Sequence, residues 1–164
     1  MPKLYILCGI PCSGKSTWAK GFLMDAVHIS RDEIRFSMLK RGEEYFSHET
    51  EVYKEFIYEI AQTLMHGYDV IADATHINHN SREKLTHAID QYFTEYQIVY
   101  VVFPIDIEIA QDRNAFRTGL QHVPPVAIQT LYERFSIPTL QEDKRAIEIL
   151  KGANSKFNSA SAPI

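Results

Sequence analysis

The sequence has few cysteines, no leader-like start and no long apolar run. Cys8 and Cys12 are the two cysteines in 164 residues, and a disulfide across so short a separation would have to bend the chain. This scarcity excludes a disulfide framework and favours a reducing compartment. The residues from Met1 lead directly into an apolar segment, which argues against a signal peptide. No apolar run approaches the roughly 20 residues of a membrane-spanning helix, so we expect a cytoplasmic protein without a membrane partner.

Positive charge is also scarce. The chain carries 17 lysines and arginines against 21 aspartates and glutamates, which gives a formal net charge of −4. Proteins that hold nucleic acid through overall charge are usually basic, so the balance excludes that mode but leaves a local basic groove open. With 45% hydrophobic and 23% charged residues, the composition is that of a single globular domain with a sizeable core.

Short apolar runs alternate with amphipathic helical patterns along the chain. The predicted strands cover 4–8, 27–29, 70–72, 97–103 and 146–150, although the last run would also suit a helix. The predicted helices cover 15–24, a segment capped by Ser30, 47–67, 81–93, 106–117 and a segment from Pro125. This alternation predicts an α/β fold with a mainly parallel sheet, whose ligands bind beyond the carboxyl ends of the strands.

The first strand is followed by GIPCSGKST, which has two glycines with four residues between them, then a lysine and two hydroxyls. A strand before such a loop and a helix after it are the context of a phosphate-binding loop, or P-loop. Backbone N–H groups would face phosphate oxygens, Lys15 would reach the outer phosphates, and Ser16 would bind Mg²⁺. The residues expected to bind ATP here are Gly9, Ile10, Pro11, Cys12, Ser13, Gly14, Lys15, Ser16 and Thr17.

Two further polar motifs follow the second and third strands. Asp73 ends an apolar strand, where a carboxylate is costly unless it is paired or serves a cation. It is therefore either an acid near Mg²⁺ and Ser16 or a helix-capping aspartate. Asp32 and Arg35 lie three residues apart on a predicted helix, so they form either a surface ion pair or an acceptor site. In the second interpretation Asp32 takes the proton of an acceptor hydroxyl while Arg35 holds the acceptor.

Arg113 and Arg117 lie four residues apart and would share one helix face. Such a pair is either a solvated face or the cationic part of a lid over the transferred phosphoryl group. His76 and His79 are three residues apart, but no third ligand is evident, so a zinc site is not expected.

The segments GIPCSGKSTW, SRDEIR, DATH with Arg82 following, DRNAFRTG and VPPVAIQTLYERF resemble a known family in that order. They are similar to the kinase domain of bacteriophage polynucleotide 5′-hydroxyl kinase and to the zeta-toxin and adenylate-kinase-like P-loop kinases. The resemblance covers about residues 3–138. The SRD-x-x-R element and the paired arginines followed by V-P-x-x-x-I are more discriminating than the P-loop.

The resemblance implies a P-loop NTPase fold, with a parallel sheet flanked by helices on both faces and a small helical lid. The kinase domain would span 1–151 with the lid at about 113–125, and the small polar residues of 152–164 predict a loosely ordered tail. By resemblance, Asp32 is the general base, Arg35 binds the acceptor, and Asp73 is the acid at the third strand end. Lys15, Arg113 and Arg117 would grip the donor phosphates.

These residues predict an ATP- and Mg²⁺-dependent phosphotransferase acting on a hydroxyl acceptor, first of all the 5′-hydroxyl of a polynucleotide. A small molecule or nucleoside is the second expected acceptor, since the helix after Ser47 is rich in glutamate (Glu49, Glu51, Glu55 and Glu59). A third alternative is an ATPase or nucleotide-binding module without an acceptor, in which Asp32→Asn would leave ATP turnover intact.

Overall fold

The computed structural model describes residues 1–22 and 25–152. The end of the predicted helix 15–24 lies outside the described residues. The predicted tail of 152–164 also lies outside them, apart from Gly152.

Five parallel strands form one sheet. They are β1 (Lys3–Cys8), β2 (Val27–Ser30), β3 (Val70–Asp73), β4 (Gln97–Val102) and β5 (Ala146–Lys151). Their spatial order is β2-β3-β1-β4-β5. All five predicted strands are confirmed, including the last, whose sequence would also have suited a helix. The register pairs Ser30 with Asp73, so the polar groups that end β2 and β3 lie side by side.

Six helices connect and cover the strands. They are α1 (Lys15–Phe22), α2 (Arg31–Met38), α3 (Glu49–Met65), α4 (His79–Asp90), α5 (Ile107–Ala115) and α6 (Pro125–Arg134). Ser30 caps α2 as predicted, since its side chain accepts a hydrogen bond from the Glu33 N–H. The start of α4 is earlier than predicted, because Asn78 is the cap and exchanges hydrogen bonds with Ser81.

The sheet is covered on both faces. One face packs against residues of α2, α3 and α4, where Phe56, Ile60 and Leu85 are buried. The other packs against α1 through Trp18 and Ala19. This confirms the α/β P-loop NTPase fold. Within the described part of the chain, no helix combines the length and apolar character needed to cross a membrane.

A third apolar cluster lies at the carboxyl end of the sheet. It joins Ile10 and Cys12 of the P-loop to Ile77, Ala110 of α5 and Ile128 of α6. The two helices after β4 are therefore packed directly on the loop between β1 and α1.

Candidate active site

The loop between β1 and α1 has the backbone conformation of a phosphate cradle. Cys12 and Gly14 both have positive φ, at 68° and 98°. For Cys12 this left-handed conformation is strained, which explains why glycine is common at such a position. The Cys12 side chain is buried, and burial raises the pKa of its thiol. We therefore regard Cys12 as a packing residue and not as a nucleophile.

Lys15 lies inside this cradle. Its ammonium group donates a hydrogen bond of 2.7 Å to the carbonyl of Ile10, and the side chain is buried. Burial lowers the pKa of Lys15 to about 8, although the nearby carboxylates of Asp73 and Asp32 act in the opposite direction. A desolvated cation held within the loop is placed to bind phosphate oxygens that enter it.

Ser16 and Asp73 are in contact, as the magnesium-site prediction requires. The Ser16 hydroxyl donates to Oδ2 of Asp73 at 2.8 Å, and His28 Nε2 lies 2.8 Å from the same oxygen. Burial would raise the pKa of Asp73, but the hydrogen bond from His28, the charge of Lys15 and the Ser16 hydroxyl together lower it below its ordinary value. The carboxylate is therefore ionised at neutral pH.

This donor set fits Mg²⁺, which prefers oxygen ligands. In the chain as described, no three His, Cys, Asp or Glu side chains group together into a protein-only metal site. Ser16 and Asp73 would thus share a magnesium ion with phosphate oxygens, which is the usual arrangement for this ion.

Arg35 joins Asp32 to two residues that the sequence did not identify. Its Nη1 donates to Oδ1 of Asp32 and, at 3.1 Å, to the Tyr45 hydroxyl. Its Nε and Nη2 donate to both carboxylate oxygens of Glu49, at 3.0 and 2.9 Å. The Tyr45 hydroxyl also donates to Asp32 at 3.2 Å. Arg35 is 6% exposed, whereas the Asp32 side chain is 60% exposed. The predicted ion pair exists, and its arginine is enclosed while its carboxylate faces outward.

Glu49 binds both arginines of α2. Besides Arg35 it accepts a hydrogen bond from Nη2 of Arg31, and these contacts lower the Glu49 pKa against the effect of its burial. From the sequence, Glu49 was one of several glutamates in a helix, with no indication that it pairs with an arginine. Fourteen residues separate it from Arg35, so no helical spacing could have indicated the contact.

A cleft of about 330 Å³ is lined in part by Tyr45, the hydrogen-bond partner of Asp32. One wall is formed by the loop before α3 and the other by the segment between α5 and α6. The lining residues are Glu44, Tyr45, Phe46, Gly119, Leu120, His122 and Pro124. Phe46 is 62% exposed and packs edge-on against Tyr45, so it offers an aromatic surface next to the candidate base.

The two arginines predicted to belong to a lid are placed differently from each other. Arg113 lies on α5, and its Nη1 donates to the carbonyl of Cys12 at 3.0 Å. Arg117 lies beyond the end of α5, so the expectation that both share one helix face is wrong. The helix ends because the buried Asn114 side chain exchanges hydrogen bonds with the Val123 backbone, at 2.6 and 2.9 Å. The charge of Arg117 contributes to lowering the Lys15 pKa, so it too acts on the loop.

His76 and His79 make structural contacts. His76 has φ 38° and is buried, with Nδ1 3.0 Å from the carbonyl of Leu7 and its ring stacked on Phe56. His79 lies 3.5 Å from Glu142, which also pairs with Arg82.

The buried His76 imidazole predicts acid sensitivity. Burial lowers the His76 pKa from 6.5 to about 4, despite the contact with Leu7. Between these values the unfolded chain binds more protons than the folded one, so the free energy of unfolding falls as the pH is lowered. Keeping His76 neutral costs the folded state nothing above pH 6.5. As the pH falls from there to about 4, the loss in free energy of unfolding grows to about 3 kcal/mol.

The measurement is urea denaturation from pH 7 to pH 4 for the wild type and for His76→Asn, since asparagine tolerates positive φ. The wild-type free energy should fall more steeply than that of the variant. Parallel curves would show that His76 is not the sensitive group.

Comparisons with known proteins fit this geometry. A family described as an AAA domain matches residues 4–138. The L-seryl-tRNA(Sec) kinase of Methanococcus maripaludis is 31% identical over 147 residues, which cover 82% of this chain and 53% of that protein. The chain thus spans about half the length of this curated relative.

Two solved structures have a similar fold. A chain of the Pnkp1/Rnl/Hen1 RNA repair complex superposes with a TM-score of 0.68 at 28% identity, covering 81% of this chain and 43% of that one. Kti12 of Chaetomium thermophilum, solved with ADP-AlF3, superposes with a TM-score of 0.61 at 17% identity. The match covers 93% of this chain and 90% of Kti12, and at this identity it indicates a shared fold alone.

Proposed function

The chain belongs to this AAA domain family, and we propose that it is a P-loop kinase that transfers the γ-phosphoryl group of ATP to a 5′-hydroxyl of a polynucleotide. The observation that carries the proposal is the position of Asp32. This outward-facing carboxylate lies in the first turn of α2 and is held by hydrogen bonds from Arg35 and Tyr45. It is close enough to the P-loop for its charge to raise the pKa of Lys15, against the larger effect of burial. A nucleotide site without an acceptor has no need of such a carboxylate.

In the proposed reaction, Asp32 accepts the proton of the acceptor hydroxyl as its oxygen bonds to the γ-phosphorus. The bond from that phosphorus to the bridging oxygen breaks, and ADP leaves. Lys15, Arg113 and Arg117 hold the negative charge of the transferred group. Ser16 and Asp73 would hold Mg²⁺, which supplies further positive charge at the phosphate oxygens when bound.

The cleft lined by Tyr45 supports a nucleotide acceptor. The Tyr45 hydroxyl is bonded to the candidate base, and the exposed ring of Phe46 follows directly in the chain. Unstacked bases at strand ends are commonly held on aromatic side chains. A terminal nucleobase against Phe46 would leave its 5′-hydroxyl near Asp32.

The enclosure of Arg35 favours a second candidate acceptor, a nucleoside or small molecule. Four hydrogen bonds from its guanidinium go to Asp32, Tyr45 and Glu49. Arg35 would have to break one of these hydrogen bonds before it could bind the phosphate of a polynucleotide. The thiols of Cys8 and Cys12 are free, which suits a reducing cytoplasm, and we propose this location for a kinase of either kind.

The test is transfer of radiolabelled phosphate from ATP to a panel of acceptors. We expect labelling of a 5′-hydroxyl oligonucleotide and at least 5-fold weaker labelling of the same strand with an abasic 5′ end, since stacking of one base is worth about 1–3 kcal/mol. A 5′-phosphorylated strand is the control and should take no label. Label on a nucleoside or sugar alone would favour the second candidate, and ATP hydrolysis without any transfer would overturn both.

A further inference from the structure

His28 is a polar residue of the site that the proposed reaction does not use. It lies on β2, two residues before Ser30, and its side chain is 18% exposed. Its Nε2 lies 2.8 Å from Oδ2 of Asp73. Because an ionised carboxylate can only accept hydrogen bonds, Nε2 must carry the proton of this contact.

The same carboxylate oxygen accepts a second hydrogen bond. Oδ2 of Asp73 receives protons from both His28 and the Ser16 hydroxyl, each at 2.8 Å. A serine hydroxyl has one proton, so a bond to Asp73 leaves its oxygen lone pairs free for a cation. Asp73 is 5% exposed. Without His28, its buried Oδ2 would keep the Ser16 hydroxyl as its one hydrogen-bond donor from the protein.

We propose that His28 is a positioning residue, which orients the Asp73 carboxylate and thereby turns the Ser16 oxygen toward the magnesium ion of the bound nucleotide. The inference rests on the metal site of the proposed function. Through His28, β2 would contribute to metal binding as well as to the sheet. Hydrogen-bond partners behind metal-binding groups commonly contribute 10- to 100-fold to metal affinity or activity.

The test measures metal binding directly, with Mn²⁺ as the probe. Free Mn²⁺ is followed by its electron paramagnetic resonance signal during titration of the full chain with ADP. For His28→Leu we expect the affinity for Mn²⁺ to fall by about 10-fold or more. His28→Gln should recover most of it, because its amide nitrogen reaches the position of Nε2. His28→Asn is too short to reach and should resemble the leucine variant.

Two measurements separate a positioning role from a general structural one. The affinity for a fluorescent ADP without metal should be unchanged in all three variants, because the loop backbone and Lys15 hold the phosphates. His87→Leu, on an exposed position of α4, is the matched control and should leave both affinities unchanged. If His28→Leu does not fold, the glutamine and asparagine variants still decide the question.

Equal Mn²⁺ affinity in the wild type and His28→Leu would overturn the inference, and so would a glutamine variant no better than asparagine. Loss of metal-free ADP binding in parallel with metal binding would also overturn it. If the wild type with ADP does not bind Mn²⁺ at all, the metal site of the proposed function itself is wrong. The two failures are therefore distinguishable.

Discussion

Asp32→Asn is expected to lower kcat for phosphoryl transfer by about 10²- to 10⁴-fold, the range that a positioned general base contributes. Asparagine keeps the size of the side chain and an oxygen that can accept from Arg35 and Tyr45. It cannot take a proton from the acceptor hydroxyl. ATP affinity should fall much less than kcat, because the loop backbone and Lys15 hold the phosphates and Asp32 acts on Lys15 only through its charge. Steady-state transfer assays and binding of a fluorescent ATP analogue measure the two quantities.

Glu33→Gln is the matched control, since Glu33 is the next residue of α2, is exposed and also carries a carboxylate. Its transfer rate should equal that of the wild type. Transfer that survives undiminished in Asp32→Asn would show that Asp32 is not the general base. ATP hydrolysis that persists in this variant, without transfer in either protein, would identify an ATPase or nucleotide-binding module.

Arg82→Met is expected to lower the free energy of unfolding by about 3–5 kcal/mol, because it removes one partner of a buried ion pair. Arg82 is 1% exposed, and its Nε and Nη2 donate to both carboxylate oxygens of Glu142 at 2.8 Å. Its Nη1 donates to the carbonyls of His76 and Ser136, at 3.0 and 3.1 Å. Methionine fills much of the volume but leaves the carboxylate and both carbonyls without this donor. Urea denaturation followed by circular dichroism gives the free energy.

The double variant Arg82→Met with Glu142→Leu should regain part of the loss, because no unpaired carboxylate remains. Arg134→Met removes an exposed arginine at the end of α6 and should change stability by less than about 0.5 kcal/mol. A loss in Arg82→Met no larger than in this control would show that the buried pair does not hold α4 to the segment before β5.

The sheet and the phosphate loop could be predicted from the sequence because both are encoded locally. Three of the strands, β1, β3 and β4, are built on continuous apolar runs, and the P-loop has its lysine and hydroxyls at fixed spacing after a strand. Asp73 was identified for a related reason, since a carboxylate at the end of an apolar strand needs a partner. The predicted contact with Ser16 follows once the strands are parallel and adjacent.

The contacts of His28, Tyr45 and Glu49 could not be predicted in this way. His28 and Asp73 are 45 residues apart in the chain and meet because β2 and β3 are adjacent in the sheet. Glu49 and Arg35 lie on two different helices that pack together. Neither pair has a periodic spacing. The end of α5 was misjudged for the same reason, because the buried amide of Asn114 and its partner Val123 decide it.

The pairing of Asn114 with Val123 has a mechanical consequence. Two hydrogen bonds close the chain between them into a ring, with Arg117 carried inside it. Because both ends of this ring are tied together at the buried Asn114, the residues within it have less conformational freedom than a free loop of the same length. Arg117 is thereby tethered close to Arg113, whose Nη1 is bonded to the Cys12 carbonyl.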